Sequence, residues 1–86
     1  MKLWILRPVE GNYLWEPWYD KAFGFIVRAK NEKEARALAQ AEAGDEAWDN
    51  QFRSGIPAWT DPKNSTCEPL SSRGEAGIVM KDFKAA

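Results

Sequence analysis

The chain contains no histidine and only one cysteine, Cys67, among its 86 residues. Without histidine there is no imidazole ligand for a metal, no histidine-based catalytic triad and no histidine pH switch. A single cysteine excludes internal disulfides and thiolate metal clusters, and it fits a reducing compartment. These two absences remove most of the side-chain chemistry by which small proteins catalyse reactions or hold metals.

A strong charge of one sign is also missing, because 12 Lys and Arg residues face 13 Asp and Glu residues, for a net charge of −1. Such a chain lacks the positive field that non-specific binding to nucleic acid or to an anionic membrane requires. Long apolar runs are absent too, since the run 3–6 stops at Arg7 and Pro8, well short of an export signal or a membrane span. We therefore expect no direct nucleic-acid or membrane contact and a location in the cytoplasm.

The composition is that of one small folded domain over residues 1–86. At 44% hydrophobic and 29% charged residues, the chain is close to ordinary globular usage. Its length supports one hydrophobic core, and the sequence has no repeat, low-complexity tract or linker.

Two strands and one helix are predicted in the first half of the chain. Residues 3–7 are apolar on both alternating faces, and residues 22–29 are rich in aromatic and β-branched side chains, so both segments read as strands. Asn31 and Glu34 form a loosened capping box before an Ala-rich run that ends at Gly44, which predicts a helix over residues 31–43. We expect Ala35, Leu38 and Ala39 to form its buried face.

Short elements are expected in the second half, because Gly55 and three prolines interrupt it. We predict one or two helical turns over residues 45–52, short strands around 58–60 and 66–68, a type I turn from Asp61 to Asn64 and a closing strand over 77–83. The fold class is α+β. A small antiparallel sheet of three to five strands, with 3–7 and 22–29 as its central strands, carries one main helix on one face, in the order ββα and then short strands.

No group of residues points to catalysis. Cys67 has no histidine to activate it and reads as a buried structural cysteine. Asp45, Glu46 and Asp49 lack the spacing of a calcium loop and are best explained as a solvated helix start. We expect a protein that is not an enzyme and that needs no cofactor or metal.

An aromatic segment is the unusual feature, because five Trp are many for so small a core. Trp15, Trp18 and Tyr19 are interface-prone residues, and the charged groups Glu16, Asp20 and Lys21 stand beside them. Pro17 can instead fold the segment back as a lid on the sheet. Weighing the two, we predict that Trp15 is the lid and Trp18 is the partner-binding anchor, with the charged neighbours facing water.

A second candidate surface is the polar turn near Asp61, Ser65 and Thr66, although such residues more often cap backbone groups. Arg7 and Arg28, near strand ends, are candidate anion-binding residues that could hold a phosphate. Open strand edges also make pairing of two copies plausible, so we expect a homodimer, which sedimentation at micromolar concentration would detect.

Several segments of the chain resemble small proteins encoded by bacteriophages and prophages, of the anti-defence class that includes anti-CRISPR proteins. The segments are MKLWILRP at 1–8, WEPWYDKAFGF at 15–25, WTDP at 59–62 and STC at 65–67. The likeness covers nearly the whole chain and fits residues 45–58 least, as an insertion would.

The resemblance implies an origin more than a function, and it assigns no individual binding residues. Its leading expectation is a non-catalytic inhibitor that binds a host defence protein or complex and covers one of its surfaces, in the host bacterial cytoplasm. The alternative is a sponge that sequesters a nucleotide immune signal in a pocket between two subunits, where aromatic side chains stack on the base and phosphates are held by Arg7, Arg28 and the backbone of Ser65 and Thr66.

Overall fold

The computed structural model describes residues 1–16, 20–49, 54–71 and 73–78. Its regular elements are, in chain order, β1 (Lys2–Pro8), a 3-10 turn (Tyr13–Trp15), β2 (Phe25–Ala29), α1 (Glu32–Ala41), a 3-10 turn (Asp45–Ala47), β3 (Trp48–Asp49), β4 (Ser54–Gly55) and β5 (Ser65–Leu70). Strands and helix together give the α+β class that the sequence predicts.

The main sheet has the strand order β2-β1-β5, and both pairings are antiparallel. Three strands agree with the prediction, but only β1 is central: β2 lies at an edge of the described sheet, and it begins at Phe25 rather than at residue 22. The other neighbour of β1 is β5, which is longer than the predicted 66–68. Pro69 is accommodated there because an edge strand leaves one side without ladder hydrogen bonds.

One face of this sheet carries the core. Trp4 lies opposite Val27, and Leu6 lies opposite Phe25 on one side and Cys67 on the other. Because directly opposite residues in a ladder share a face, these side chains project together toward α1, where they join the main hydrophobic cluster. The other face carries Leu3, Ile5 and Arg7 of β1.

Helix α1 begins as predicted, with the Asn31 side chain accepting a hydrogen bond from the Glu34 N–H at 2.8 Å. It ends at Ala41, two residues before the predicted limit. Ala35 and Ala39 are buried, but Leu38 is 45% exposed, and the buried face includes Arg36 instead. No helix in the described part of the chain is long and apolar enough to cross a membrane.

Trp59 is the centre of the core and is fully buried. Its ring meets Phe25 edge-on and Trp15 at a tilt, with both ring centroids 4.9 Å away. Every polar atom of Trp59 also has a partner. The backbone N–H donates to Gln40 Oε1 at 2.8 Å, the carbonyl accepts from Arg36 Nη1 at 3.0 Å, and the indole N–H donates to Glu46 Oε2 at 2.8 Å.

The structure differs most from the predictions in the second half of the chain. Residues 45–47 form a 3-10 turn, but the predicted helix does not continue, because Trp48 pairs with Gly55 in a β ladder. Residues 58–60 form a turn rather than a strand. Gly77 and Ile78 are not in a strand, and the remainder of the predicted closing strand, like Phe52, lies outside the described residues.

Candidate functional site

A groove with a volume of about 420 Å³ opens where β1 ends. The described residues that line it include the aromatic side chains of Tyr13, Trp15 and Phe23 and the carboxylates of Glu10 and Glu16. We call this the aromatic groove. Tyr13 is its most accessible aromatic member, at 73% exposed, so the groove presents aromatic surface and negative charge side by side.

The turn that forms the groove is fixed by Gly11 and Asn12. Gly11 has a positive φ of 81°, a conformation that glycine adopts without steric cost. The Asn12 side chain accepts from the Leu14 N–H at 3.0 Å, which caps the 3-10 turn, and its amide donates to Asn64 Oδ1 at 2.8 Å. One asparagine therefore shapes the turn and ties it to a second loop.

Trp15 forms the inner wall of the groove. It is half-buried, its ring packs on Trp59, and its indole N–H donates to the Asn64 carbonyl at 2.8 Å. These contacts agree with the expectation that Trp15 covers the core. Trp18 and Tyr19, the other predicted aromatic anchors, lie outside the described residues.

The three charged residues of the predicted aromatic site occupy different positions. Glu16 is exposed in the groove, and its backbone carbonyl accepts from Lys21 Nζ at 2.8 Å. Asp20 is exposed, but its backbone is paired with Asp45: the Asp20 N–H donates to the Asp45 carboxylate at 3.0 Å, and the Asp45 N–H donates to the Asp20 carbonyl at 2.9 Å. Glu16, Asp20 and Lys21 are therefore each tied to other parts of the fold by hydrogen bonds that involve their backbone or side chain.

The polar turn near Asp61 is largely structural. Asp61 Oδ1 accepts from the Lys63 N–H at 2.9 Å, as in an ordinary capped turn. Ser65 is fully buried, and its hydroxyl oxygen accepts from Arg36 Nη1 at 3.1 Å. We therefore remove Ser65 from the candidate partner-binding residues, because its hydroxyl is not accessible. Thr66 is exposed, and its hydroxyl donates a hydrogen bond to the Arg7 carbonyl at 3.4 Å.

Contacts through Asn64 bring the two candidate loops together. The Val9 N–H and the Trp15 indole both donate to the Asn64 carbonyl, and Asn12 bonds its side chain. The aromatic groove and the turn from Asp61 to Thr66 thus adjoin, although about fifty residues separate them in sequence.

The predicted anion-binding residues do not meet in one cavity. Arg28 lies opposite Leu3 in the ladder, whereas Arg7 lies opposite Thr66, four residues further along β1. At about 3.3 Å per residue this is a separation of roughly 13 Å along the strand. Arg28 instead lines a separate cavity at the start of β1 with Lys2 and Arg73.

Glu46 corrects the prediction of a solvated acidic cluster. Its side chain is 1% exposed, with Oε1 accepting from the Ala22 N–H at 3.0 Å and Oε2 from the Trp59 indole. A carboxylate is tolerated there because both oxygens accept hydrogen bonds. Among the described residues, no group of three or more acidic or cysteine side chains is arranged to hold a metal ion.

Cys67 is half-buried on the helix side of β5. Burial raises the pKa of its thiol; the nearby Arg36 guanidinium lowers this pKa and Glu32 raises it, but burial dominates. A raised pKa keeps the thiol protonated at neutral pH, and Cys67 is half-buried where the sequence predicts a buried cysteine.

Three groove residues were missed by the sequence analysis as site residues: Glu10, Asn12 and Tyr13. Their signal was the turn sequence Glu10-Gly11-Asn12 directly before an aromatic residue. It marks a turn but gives no indication that the turn packs against Asn64. Comparison with protein-family models, curated proteins and solved structures found no match to this chain.

Proposed function

We propose that this protein is a non-catalytic binding protein whose aromatic groove attaches to a basic surface of a partner protein. The observation that carries the proposal is the combination, in one groove, of exposed Tyr13 and half-buried Trp15 with the carboxylates of Glu10 and Glu16. Tyr and Trp are the side chains most often found at interface hot spots, since they bring large contact area with few rotatable bonds.

The chemistry of the groove favours a cationic side chain. Aromatic faces attract a guanidinium or ammonium group, with about 0.5–2 kcal/mol gained per contact. Glu10 and Glu16 add charge-assisted hydrogen bonds to the same cation. An Arg or Lys of the partner is therefore the group that best fits the groove.

Rigidity supports the same proposal. Trp15 is held by Trp59 and Asn64, and Asn12 ties the groove turn to the neighbouring loop. A groove that is already ordered loses little conformational entropy when a partner binds. Trp18 and Tyr19, which follow Glu16 after Pro17, stay predicted anchors. Asp20, Asp61 and Thr66 stay predicted polar contacts.

The resemblance to phage-encoded proteins supports a particular partner. On this proposal the partner is a bacterial defence protein or complex in the host cytoplasm, and the chain inhibits it by covering a basic surface that must stay free. Electrostatic attraction across such an interface speeds association and weakens with salt, because exposed charges are screened beyond about 8 Å at physiological ionic strength.

The test places a photo-crosslinking amino acid at position 13 in the groove and, as a matched control, at exposed position 38 on α1. A partner crosslinked from position 13 and not from position 38, in cells carrying defence systems, is then purified. Calorimetry should show that Tyr13→Ala and Glu16→Gln each weaken its binding, and that added salt weakens it further. Identical crosslinks from both positions, or variants that bind as tightly as the parent, contradict the proposal.

The nucleotide sponge stays an alternative prediction, as does the homodimer. One observation favours the nucleotide sponge: Arg28 lines a cavity together with the cationic residues Lys2 and Arg73. A thermal-shift panel of cyclic and ADP-ribose-type nucleotides separates the two functions, because a ligand at about 100 times its dissociation constant adds roughly 2.7 kcal/mol to the free energy of unfolding.

A further inference from the structure

We propose that the cavity at the start of β1 binds a phosphate-bearing small molecule. It has a volume of about 540 Å³, and three cationic residues line it: Lys2, Arg28 and Arg73. Among the described residues that line it there is no Asp or Glu, although acidic residues outnumber basic ones in the chain. We call it the cationic cavity. The inference deepens the nucleotide alternative, which uses the same cavity and on which it rests, and it is independent of the function proposed for the aromatic groove.

The fold brings cationic residues from distant parts of the sequence to the same end of the sheet, with Lys2, opposite Ala29, on the other face from Arg28. Leu3 of β1 lies opposite Arg28 of β2 on one side and opposite Leu70 of β5 on the other, so Arg28 and the end of β5 flank β1, about 10 Å apart across two strand spacings. Arg73 is joined to Ser71 by two hydrogen bonds. Its N–H donates to Ser71 Oγ at 3.1 Å, and the Ser71 hydroxyl donates back to the Arg73 carbonyl at 3.0 Å.

Electrostatics favour an anion in this cavity. A space of about 540 Å³ is roughly 10 Å across, slightly more than the Debye length of about 8 Å, so cationic groups around it repel one another weakly at physiological salt and more strongly at low salt. Among the described residues, none of the three forms an ion pair with a carboxylate. A phosphate would relieve this repulsion, and the two guanidinium groups can each donate paired hydrogen bonds to it.

Apolar residues complete the lining and indicate what accompanies the phosphate. Leu3, Pro69 and Leu70 line the same cavity, and its volume lies within the range of small-molecule pockets. Inorganic phosphate would leave these residues uncovered. The ligand class is therefore an organic molecule with a phosphate or diphosphate group.

The test follows backbone amide signals by NMR while inorganic pyrophosphate, ADP or adenosine is added at millimolar concentration. Pyrophosphate and ADP should give saturable shifts centred on Leu3, Arg28 and Leu70, and adenosine should give none. Absence of saturable shifts with pyrophosphate overturns the proposal, as does an equal response to adenosine, because either result removes the phosphate as the recognised group.

Variants locate the site. Arg28→Gln and Arg73→Gln should each lower pyrophosphate affinity about tenfold or more, since each removes a charge-assisted contact. Both side chains are exposed, so the amide spectrum should remain that of the folded protein. Lys33→Gln, on an exposed position of α1, is the matched control and should leave the affinity unchanged, as should Glu16→Gln in the aromatic groove. An equal loss in Lys33→Gln shows general charge attraction and overturns the site.

Discussion

Glu46 illustrates how a single residue joins parts of this fold that are remote in sequence. Its two carboxylate oxygens accept from the Ala22 N–H and the Trp59 indole, and the side chain is 1% exposed. Glu46→Gln keeps one oxygen as an acceptor, but it turns its amide N–H toward either the Ala22 N–H or the Trp59 indole N–H, both of which are donors. We expect a loss of about 1–3 kcal/mol in the free energy of unfolding, measured by urea denaturation. Glu42→Gln, at an exposed position, should change it little; equal effects of the two would contradict a structural role for Glu46.

Gly44 sits where the chain cannot accommodate a side chain. An added Cβ would overlap the Asp20 carbonyl oxygen, the atom that accepts the Asp45 N–H at 2.9 Å, and would stand 3.1 Å from Glu46 Oε1. Gly44→Ala should therefore destabilise the protein by about 1–3 kcal/mol, as overpacking does. Gly77→Ala meets nothing within 4 Å and serves as the control. An unchanged melting temperature in Gly44→Ala would contradict the close contact between Gly44 and the Asp20 carbonyl.

At the scale of elements, the aromatic segment combines a packing role with a predicted binding role. Trp15→Ala removes a ring packed on Trp59 and a hydrogen bond to Asn64, so it should cost about 3 kcal/mol or more of stability. Trp18→Ala should leave melting within a few degrees and cost roughly 2 kcal/mol of partner binding. Thermal melting of both variants compares them directly. A lower melting temperature for Trp18→Ala than for Trp15→Ala would mean that the two roles are reversed.

Strand β5 carries the thiol that responds to alkaline pH. Burial raises the pKa of Cys67 above its ordinary value, so the folded state holds this proton more tightly than the unfolded state. The resulting stability is present at neutral pH and is lost as the pH rises through the raised pKa of the folded state. Alkylation of the native protein should accordingly reach its half-maximal rate at a higher pH than alkylation in urea, with Cys67→Ser as the blank. Coinciding rate profiles would contradict the burial.

Elements with strong local signals were predicted well, and those that depend on distant partners were not. The Asn31 cap and the alternation in β1 act over a few residues, so the sequence alone locates them. β3 exists only because Trp48 pairs with Gly55, and this pairing overrides the helical spacing around Trp48. Arg36 replaces Leu38 on the buried face because its guanidinium finds the Trp59 carbonyl and Ser65, partners that helical periodicity cannot indicate.

At the scale of the whole molecule, the candidate site also combines features that the local sequence predicts with features that depend on distant partners. Aromatic content near Trp15 singled out one loop, and turn chemistry at Asp61 singled out another. Their meeting depends on Asn12 and Asn64, whose side chains bond at 2.8 Å across 52 positions. Nothing in the sequence marks that pair, so Tyr13 and Glu10 could not be assigned to a groove in advance.

The aromatic groove and the cationic cavity lie at opposite ends of β1, whose seven residues span about 20 Å. Groups so far apart with no shared contacts should act independently. We therefore expect the effects of Glu16→Gln and Arg28→Gln on the free energy of unfolding to add within about 0.5 kcal/mol in the double variant, as measured in urea. Glu16→Gln should weaken only binding of the partner protein at the aromatic groove, and Arg28→Gln only binding of the phosphate compound in the cationic cavity. A coupling energy above about 1 kcal/mol between the two substitutions would contradict separate sites. If this coupling energy grew with protein concentration, the acidic groove of one copy would lie against the cationic cavity of another.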